Sequence, residues 1–168
     1  KLKIFGFPYL SGVPIINADD SDLSIRVEQH ISSSIRDGEI SKPVYYGITT
    51  NKPKLDVLIE KYDGEEWFCA YDVSNNILPI IKVKETKSLG KQNQINLLAC
   101  FSICSVMIQN ILEIKEISNV FKIPDHRMEE VFFNGKLRFF NDSKATNISA
   151  TIFALQALSD PLFLILGG

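Results

Sequence analysis

The sequence predicts an α/β fold, and three observations carry that expectation. Val13-Pro14-Ile15-Ile16 is a short β-branched run ending in Asn17-Ala18-Asp19-Asp20, the pattern of a strand entering an acidic loop. Asn134-Gly135, flanked by Val131-Phe132-Phe133 and Lys136-Leu137-Arg138-Phe139, is the strongest short hairpin signal in the chain. Beyond it, strand-like Leu137–Phe140, the polar loop Asn141–Asn147, the helix-like run Ile148–Leu158 and strand-like Leu162–Leu166 spell a βαβ unit. Such a unit is the start of a Rossmann-like second domain.

The bulk properties exclude several classes. At 168 residues, 45% hydrophobic and 23% charged, the chain has an ordinary globular composition with room for a core. Net charge is −2 and no basic run exists, so nucleic acid is a poor partner. The most apolar stretch, Leu97–Leu112, is interrupted by Ser102, Ser105, Gln109 and Asn110 and falls short of the roughly 18 to 20 residues a membrane span needs. No membrane insertion and a cytoplasmic location are therefore expected. Cys69, Cys100 and Cys104 read as buried thiols, and neither His30 nor His126 has ligand spacing to them, so no metal held by Cys or His is expected. Asp19, Asp20 and Asp22 read as a solvated turn and helix cap, with a metal cluster as the rarer alternative.

Residues 23–43 show only a weak pattern of Ile25, Val27, Ile31 and Ile35, and no element is assigned there. Val44–Ile48 reads as a strand and Leu55–Tyr62 as a short helix. Asp63-Gly64 turns into strand-like Glu66–Ala70, which pairs about a turn near Asn75 with Ile77–Val83, where Pro79 suggests a sheet edge. A glycine-containing loop at Gly90 leads into a helix from Asn93 to about Leu112, apolar on nearly every face and expected to be buried. A further helix, Ile114–Phe121, is stopped by Pro124, which makes Ile123-Pro124-Asp125 a linker between domains at 1–123 and 124–168.

Three groups of residues could carry chemistry. Asn141-Asp142-Ser143-Lys144-Ala145-Thr146-Asn147 lies between the carboxyl end of a strand and a helix N-terminus, where α/β proteins hold anionic ligands. Asp142 suits a sugar hydroxyl, Lys144 a phosphate, and Thr146 a ligand oxygen; the plain alternative is capping by Asp and Thr with the lysine in solvent. Asn93 and Asn96, three apart on one side of a helix, carry carboxamides that donate and accept as the edge of adenine requires, although asparagine also caps helices. Arg127, next to His126, is either a solvated hinge residue or a bidentate phosphate ligand, with His126 then expected as a packed, positioning neighbour.

Four segments in order, Lys1–Phe5, Asn17–Asp20, Gly90–Asn96 and Pro124–Ala154, resemble the Mur ligase family, in particular its D-glutamate-adding branch. The resemblance implies the end of a middle ATPase domain followed by the start of a Rossmann-like C-terminal domain. It implies that ATP, with Mg²⁺, phosphorylates the carboxylate of UDP-N-acetylmuramoyl-L-alanine and that the amine of D-glutamate attacks the acyl phosphate, a step of peptidoglycan synthesis. Asn93 and Asn96 then meet adenine, Asp142 the ribose, Arg127 and Lys144 the phosphate or acyl-phosphate charge, and Thr146 the glutamate side. Gln92 stands where the family usually has His. The sequence contains no Gly-x-x-Gly-Lys-Thr/Ser phosphate loop, and the Mg²⁺ carboxylates are likewise expected upstream, so these residues alone are expected to be inactive. Two alternatives stay open. One is a related ligase acting on another amino acid or on folate; the other is a truncated, non-catalytic remnant with at most nucleotide binding.

Overall fold

The computed structural model describes residues 12–36, 42–48, 54–72, 74–86, 90–108, 113, 114, 116 and 124–167. The chain divides into two compact units, residues 1–86 with 95–121, and residues 87–94 with 122–168. Lys1–Phe5, most of the expected helix Ile114–Phe121 and Ile123 lie outside the described residues.

The first unit is built on a five-stranded sheet of order β1-β2-β3-β4-β5, with β1 at Ile15–Asn17, β2 at Val44–Gly47, β3 at Val57–Tyr62, β4 at Glu65–Tyr71 and β5 at Ile77–Lys82. β1, β2 and β3 are mutually parallel, whereas β4 and β5 complete an antiparallel meander. Parallel neighbours need a crossover, and helix α1, Ser21–Arg36, supplies it between β1 and β2. Asp20 caps this helix, its Oδ1 accepting from the Leu23 amide at 3.0 Å. Its sequence pattern is weak because a serine occupies a core position: Ser24 is buried beside Val27, its hydroxyl donating to the Asp20 carbonyl at 2.9 Å.

Leu55–Tyr62, expected to be helical, instead leads into and forms β3, Val57–Tyr62. The two-residue turn Asp63-Gly64, with φ of 53° and 78°, joins it to β4. Paired positive φ values match the right-handed twist of a hairpin, which is why Asp-Gly serves here. Pro79 lies in the edge strand β5. A bulge opposite Phe68 and Cys69 inserts Ile80, so Ile80 and Ile81 join one core cluster instead of alternating.

That cluster covers one sheet face with Val57, Phe68 and Ala70, and receives Leu97, Leu98 and Phe101 from helix α2, Lys91–Met107. Phe68 and Phe101 meet edge to face at 5.4 Å. Ala18, Leu55, Leu58 and Cys69 form a second cluster. The expected complete burial of α2 does not hold: Cys100, Ile103 and Met107 are exposed, so its apolar surface is only partly used in packing. Of the three cysteines, Cys69 alone is fully buried.

The second unit contains the hairpin β6, Glu129–Phe133, and β7, Arg138–Asn141, followed by helix α3, Ile148–Gln156. In the turn, Asn134 Oδ1 accepts from the amides of Lys136 and Leu137, and Gly135 takes φ of 88°. Phe132 packs edge to face on Phe139 across the strands, and Arg138 pairs with Glu130. Leu162–Leu166, expected as the returning strand, is not one. A strand needs a hydrogen-bonding neighbour, and among the described residues this segment has none; Phe163 and Ile165 are more than nine-tenths exposed.

Candidate functional site

The loop after β7 is ordered by its own hydrogen bonds. Asn141 Oδ1 accepts from the Ser143 amide at 3.1 Å, the Ala145 amide donates to the Asp142 carbonyl, and the Thr146 amide donates to the Lys144 carbonyl. Asn147 is the cap of α3: its backbone is extended and its Oδ1 accepts from the Ala150 amide at 2.8 Å. Capping therefore falls to neither Asp142 nor Thr146.

Three links fasten this loop to the segment before β6. Asp142 Oδ1 accepts from the Met128 amide at 3.0 Å, the Lys144 amide donates to the His126 carbonyl at 3.2 Å, and Asn141 Nδ2 lies 2.9 Å from His126 Nδ1. The His126 amide also donates to Glu129 Oε2 at 2.9 Å. These bonds hold an unusual backbone, since His126 and Met128 have φ of 66° and 48°. Left-handed geometry costs an L-residue with a side chain roughly 1–2 kcal/mol. Arg127 sits between the two.

Beside this junction lies a half-open cleft of about 50 Å³. Arg127, Met128, Asp142, Lys144 and Ala145 line it together with Gly90, which precedes α2, Gln92 and Asn93 of its first turn, Ala150, Phe153 and Ala154 of α3, and Ala157, which caps α3. Gly90 takes φ of 80°, and a Cβ built on it stands 2.8 Å from Ala157 Cβ, so only glycine permits this approach. The small residues of α3 and Gly90 bring the α2 N-terminus, the positive end of its dipole, to the cleft wall.

Four of the six sequence-derived candidates, Asn93, Arg127, Asp142 and Lys144, line this one cleft. Asn96 and Thr146 do not; both are exposed. Arg127 and Lys144 are also exposed, and among the described residues neither has a carboxylate partner in an ion pair. The lining thus combines two uncompensated cations with one carboxylate whose Oδ1 is already engaged. Two cations against one carboxylate give the lining a net attraction for a small anion. Small-molecule sites typically measure ~300–1,000 Å³, so this cleft has room for a small group and not for a whole nucleotide. The residues that sequence reasoning missed are Gly90 as a close-approach residue, Met128 as the partner of Asp142, and Asn147 as the cap. The Gly-Lys-Gln-Asn run hinted at the first; nothing local signalled the second.

The acidic loop of the first unit is structural in its contacts. Asp19 Oδ2 accepts from the Ile48 amide at 2.8 Å, tying the loop after β1 to the end of β2. A Cβ at Gly47 would stand 3.2 Å from the same carboxylate. Among the described residues no three His, Cys, Asp or Glu side chains gather to hold a metal ion. Nor is any helix among them long and apolar enough to cross a membrane.

The parallel strands, the α1 crossover and the hairpin-loop-helix unit define an α/β protein, and comparison with known proteins gives the family. No sequence model of a protein family matches the chain. It is 34% identical over 110 residues to the UDP-N-acetylmuramoylalanine–D-glutamate ligase of Shewanella oneidensis, covering 63% of this chain and 25% of that enzyme. It is 29% identical over 170 residues to the enzyme of the same name from Elusimicrobium minutum, covering all of this chain and 33% of the relative. The Pediococcus pentosaceus enzyme is 30% identical over 72% of this chain, which covers 32% of it. A crystal structure of MurF from Acinetobacter baumannii shares the fold, with a TM-score of 0.59 at 14% identity over 88% of this chain and 29% of that one. The chain belongs to the Mur ligase family. It spans about a quarter to a third of the length of these relatives.

Proposed function

We propose that these residues are part of an ATP-dependent ligase that adds D-glutamate to UDP-N-acetylmuramoyl-L-alanine through an acyl phosphate, in the cytoplasmic stage of peptidoglycan synthesis. The observation that carries the reading is the convergence of Arg127, Lys144 and Asn93 on one cleft beside a helix N-terminus. Its support is the shared name of the relatives, each a ligase for D-glutamate.

In this reading Arg127 and Lys144 take the charge of the transferred phosphoryl group, where preorganised cations act most strongly. Asn93 meets the adenine edge, with Asn96 one turn beyond it. Asp142 offers its remaining oxygen to the ribose, and Thr146 serves the glutamate side. ATP supplies the phosphoryl group that activates the acceptor carboxylate. The phosphate loop and the Mg²⁺ carboxylates belong to the rest of the ligase, and residues 1–168 alone are not expected to turn over substrate.

The test is a ligation assay of the whole protein with ATP, UDP-N-acetylmuramoyl-L-alanine and a panel of amino acids. D-Glutamate should be incorporated, and Lys144→Ala or Arg127→Ala should lower kcat by roughly 10²-fold or more, the usual loss for a preorganised charge-stabilising group. Preference for another amino acid, or unchanged kcat in both variants, would refute it.

A further inference from the structure

We infer that Asp142 is a positioning residue, which, with Asn141, holds the turn that presents Arg127 to the cleft; the inference rests on the anion-binding reading of that cleft. Arg127 is exposed and has no ion-pair partner among the described residues, so no contact of its own guanidinium fixes it. What is fixed is its backbone. The residues on either side are both left-handed without being glycine, a conformation that persists only where neighbours impose it. The neighbours are identifiable. Asp142 Oδ1 accepts from the amide of Met128, Asn141 Nδ2 meets His126 Nδ1, and the Lys144 amide donates to the His126 carbonyl. Met128 itself is 9% exposed, which anchors the far side of the turn. A side chain leaving a backbone so held starts from one direction, and less freedom is lost when its guanidinium closes on an anion.

The charge of Asp142 gives the inference a distinctive sign. A carboxylate lining an anion site repels the ligand, so deleting it should tighten anion binding on electrostatic grounds alone. If the carboxylate orders the arginine turn, deleting it should weaken binding. Asparagine separates the two effects, since it keeps an oxygen that can accept from Met128 and loses the charge.

The experiment is calorimetric titration of the 168-residue chain with inorganic pyrophosphate, which has no ribose, and with ADP. Asp142→Ala should bind pyrophosphate roughly tenfold more weakly, the equivalent of one charge-assisted hydrogen bond. Asp142→Asn should bind it as well as the unmodified chain or better. Adding Asp142→Ala to Arg127→Ala should cost nothing further, because the arginine it positions is gone. Asn141→Ala changes no charge and leaves the Asp142–Met128 bond in place, removing the His126 link together with the bond that Asn141 Oδ1 accepts from the Ser143 amide; it should weaken pyrophosphate binding in the same direction, and it tests the clamp should Asp142→Ala fail to fold. The inference is overturned if Asp142→Ala binds pyrophosphate unchanged or more tightly, if it weakens ADP alone, or if its effect adds fully to that of Arg127→Ala. Absence of pyrophosphate binding by the unmodified chain overturns the anion-site reading, and the inference with it.

Discussion

A Cβ on Gly90 would stand 2.8 Å from the Cβ of Ala157, closer than two such carbons ever sit, and Gly90 has φ of 80° besides. Gly90→Ala therefore meets two penalties, the left-handed backbone at roughly 1–2 kcal/mol and the collision. Thermal unfolding of the variant should show a clear loss of stability. Ala157→Gly in the same chain should recover the steric share and leave the backbone share; complete recovery would mean that the backbone conformation costs nothing.

Removing the cap of α3 should cost about 1 kcal/mol, the usual value for an N-cap asparagine changed to alanine. Asn147→Ala is that variant, because Asn147 Oδ1 accepts from the Ala150 amide. Asn147→Asp, which keeps the acceptor, should lose little. Denaturant midpoints compare the three chains, and equal midpoints would show that the loop finds another cap.

Exposed cations without partners contribute little to stability. Lys144→Ala and Arg127→Ala should leave the denaturant midpoint within roughly 0.5 kcal/mol of the unmodified chain, even as they weaken pyrophosphate binding. A large destabilisation by either would mean that these side chains serve the fold.

Burial pushes the Cys69 thiol up to about 11, with the Glu60 charge adding to the effect. The folded chain then keeps its proton where the unfolded chain, near the ordinary value of 9.0, has lost it. Stability is unaffected by this group below pH 9 and falls between about 9 and 11, by at most about 1.4 kcal/mol per pH unit. Burial also raises Tyr45 and Tyr46, which act in the same direction. Denaturant midpoints at pH 8 and 10.5 should therefore differ less for Cys69→Ala than for the unmodified chain. At pH 8, alkylation should reach exposed Cys100 in the native state and Cys69 only in denaturant.

The sequence was legible where one local rule decided the structure. Asn134-Gly135 announced its hairpin, and the helix after the Asn141–Asn147 loop begins at Ile148. It misled where two periods overlapped. Leu55, Leu58, Ile59 and Tyr62 fall at helical spacing, yet they belong to a strand and its approach, with Val57 and Leu58 buried in different core clusters. A strand covered on both faces reads as a continuous apolar run, which period alone cannot tell from a helix. Helix α1 went unseen because Ser24 takes a core position and Ser32-Ser33-Ser34 lowers its propensity. Leu162–Leu166 was apolar enough for a strand, but pairing is non-local and no local pattern encodes it.

The candidate cleft was legible as residue types more than as geometry. Asn93, Arg127, Asp142 and Lys144 converge on it. Asn96, three residues along the helix, is displaced about 4.5 Å along its axis and lies outside the lining. The engagement of Asp142 with Met128 joins residues 14 apart through a backbone amide, and an amide has no signature in a sequence.

The mixed sheet of the first unit also implies an order of assembly. β3, β4 and β5 are joined by short turns at Asp63-Gly64 and between Asp72 and Asn76, so their pairing closes small loops. β1 cannot meet β2 until the whole α1 crossover is enclosed, and larger loops cost more entropy before any contact rewards them. The meander should thus nucleate folding while β1 docks last. Substitutions at Phe68 or Ile80 should then slow refolding, whereas Ile16→Val should chiefly speed unfolding; the reverse pattern in stopped-flow measurements would place the nucleus at the parallel edge. A chain emerging residue by residue would accordingly carry β1 unpaired until the meander behind it has formed.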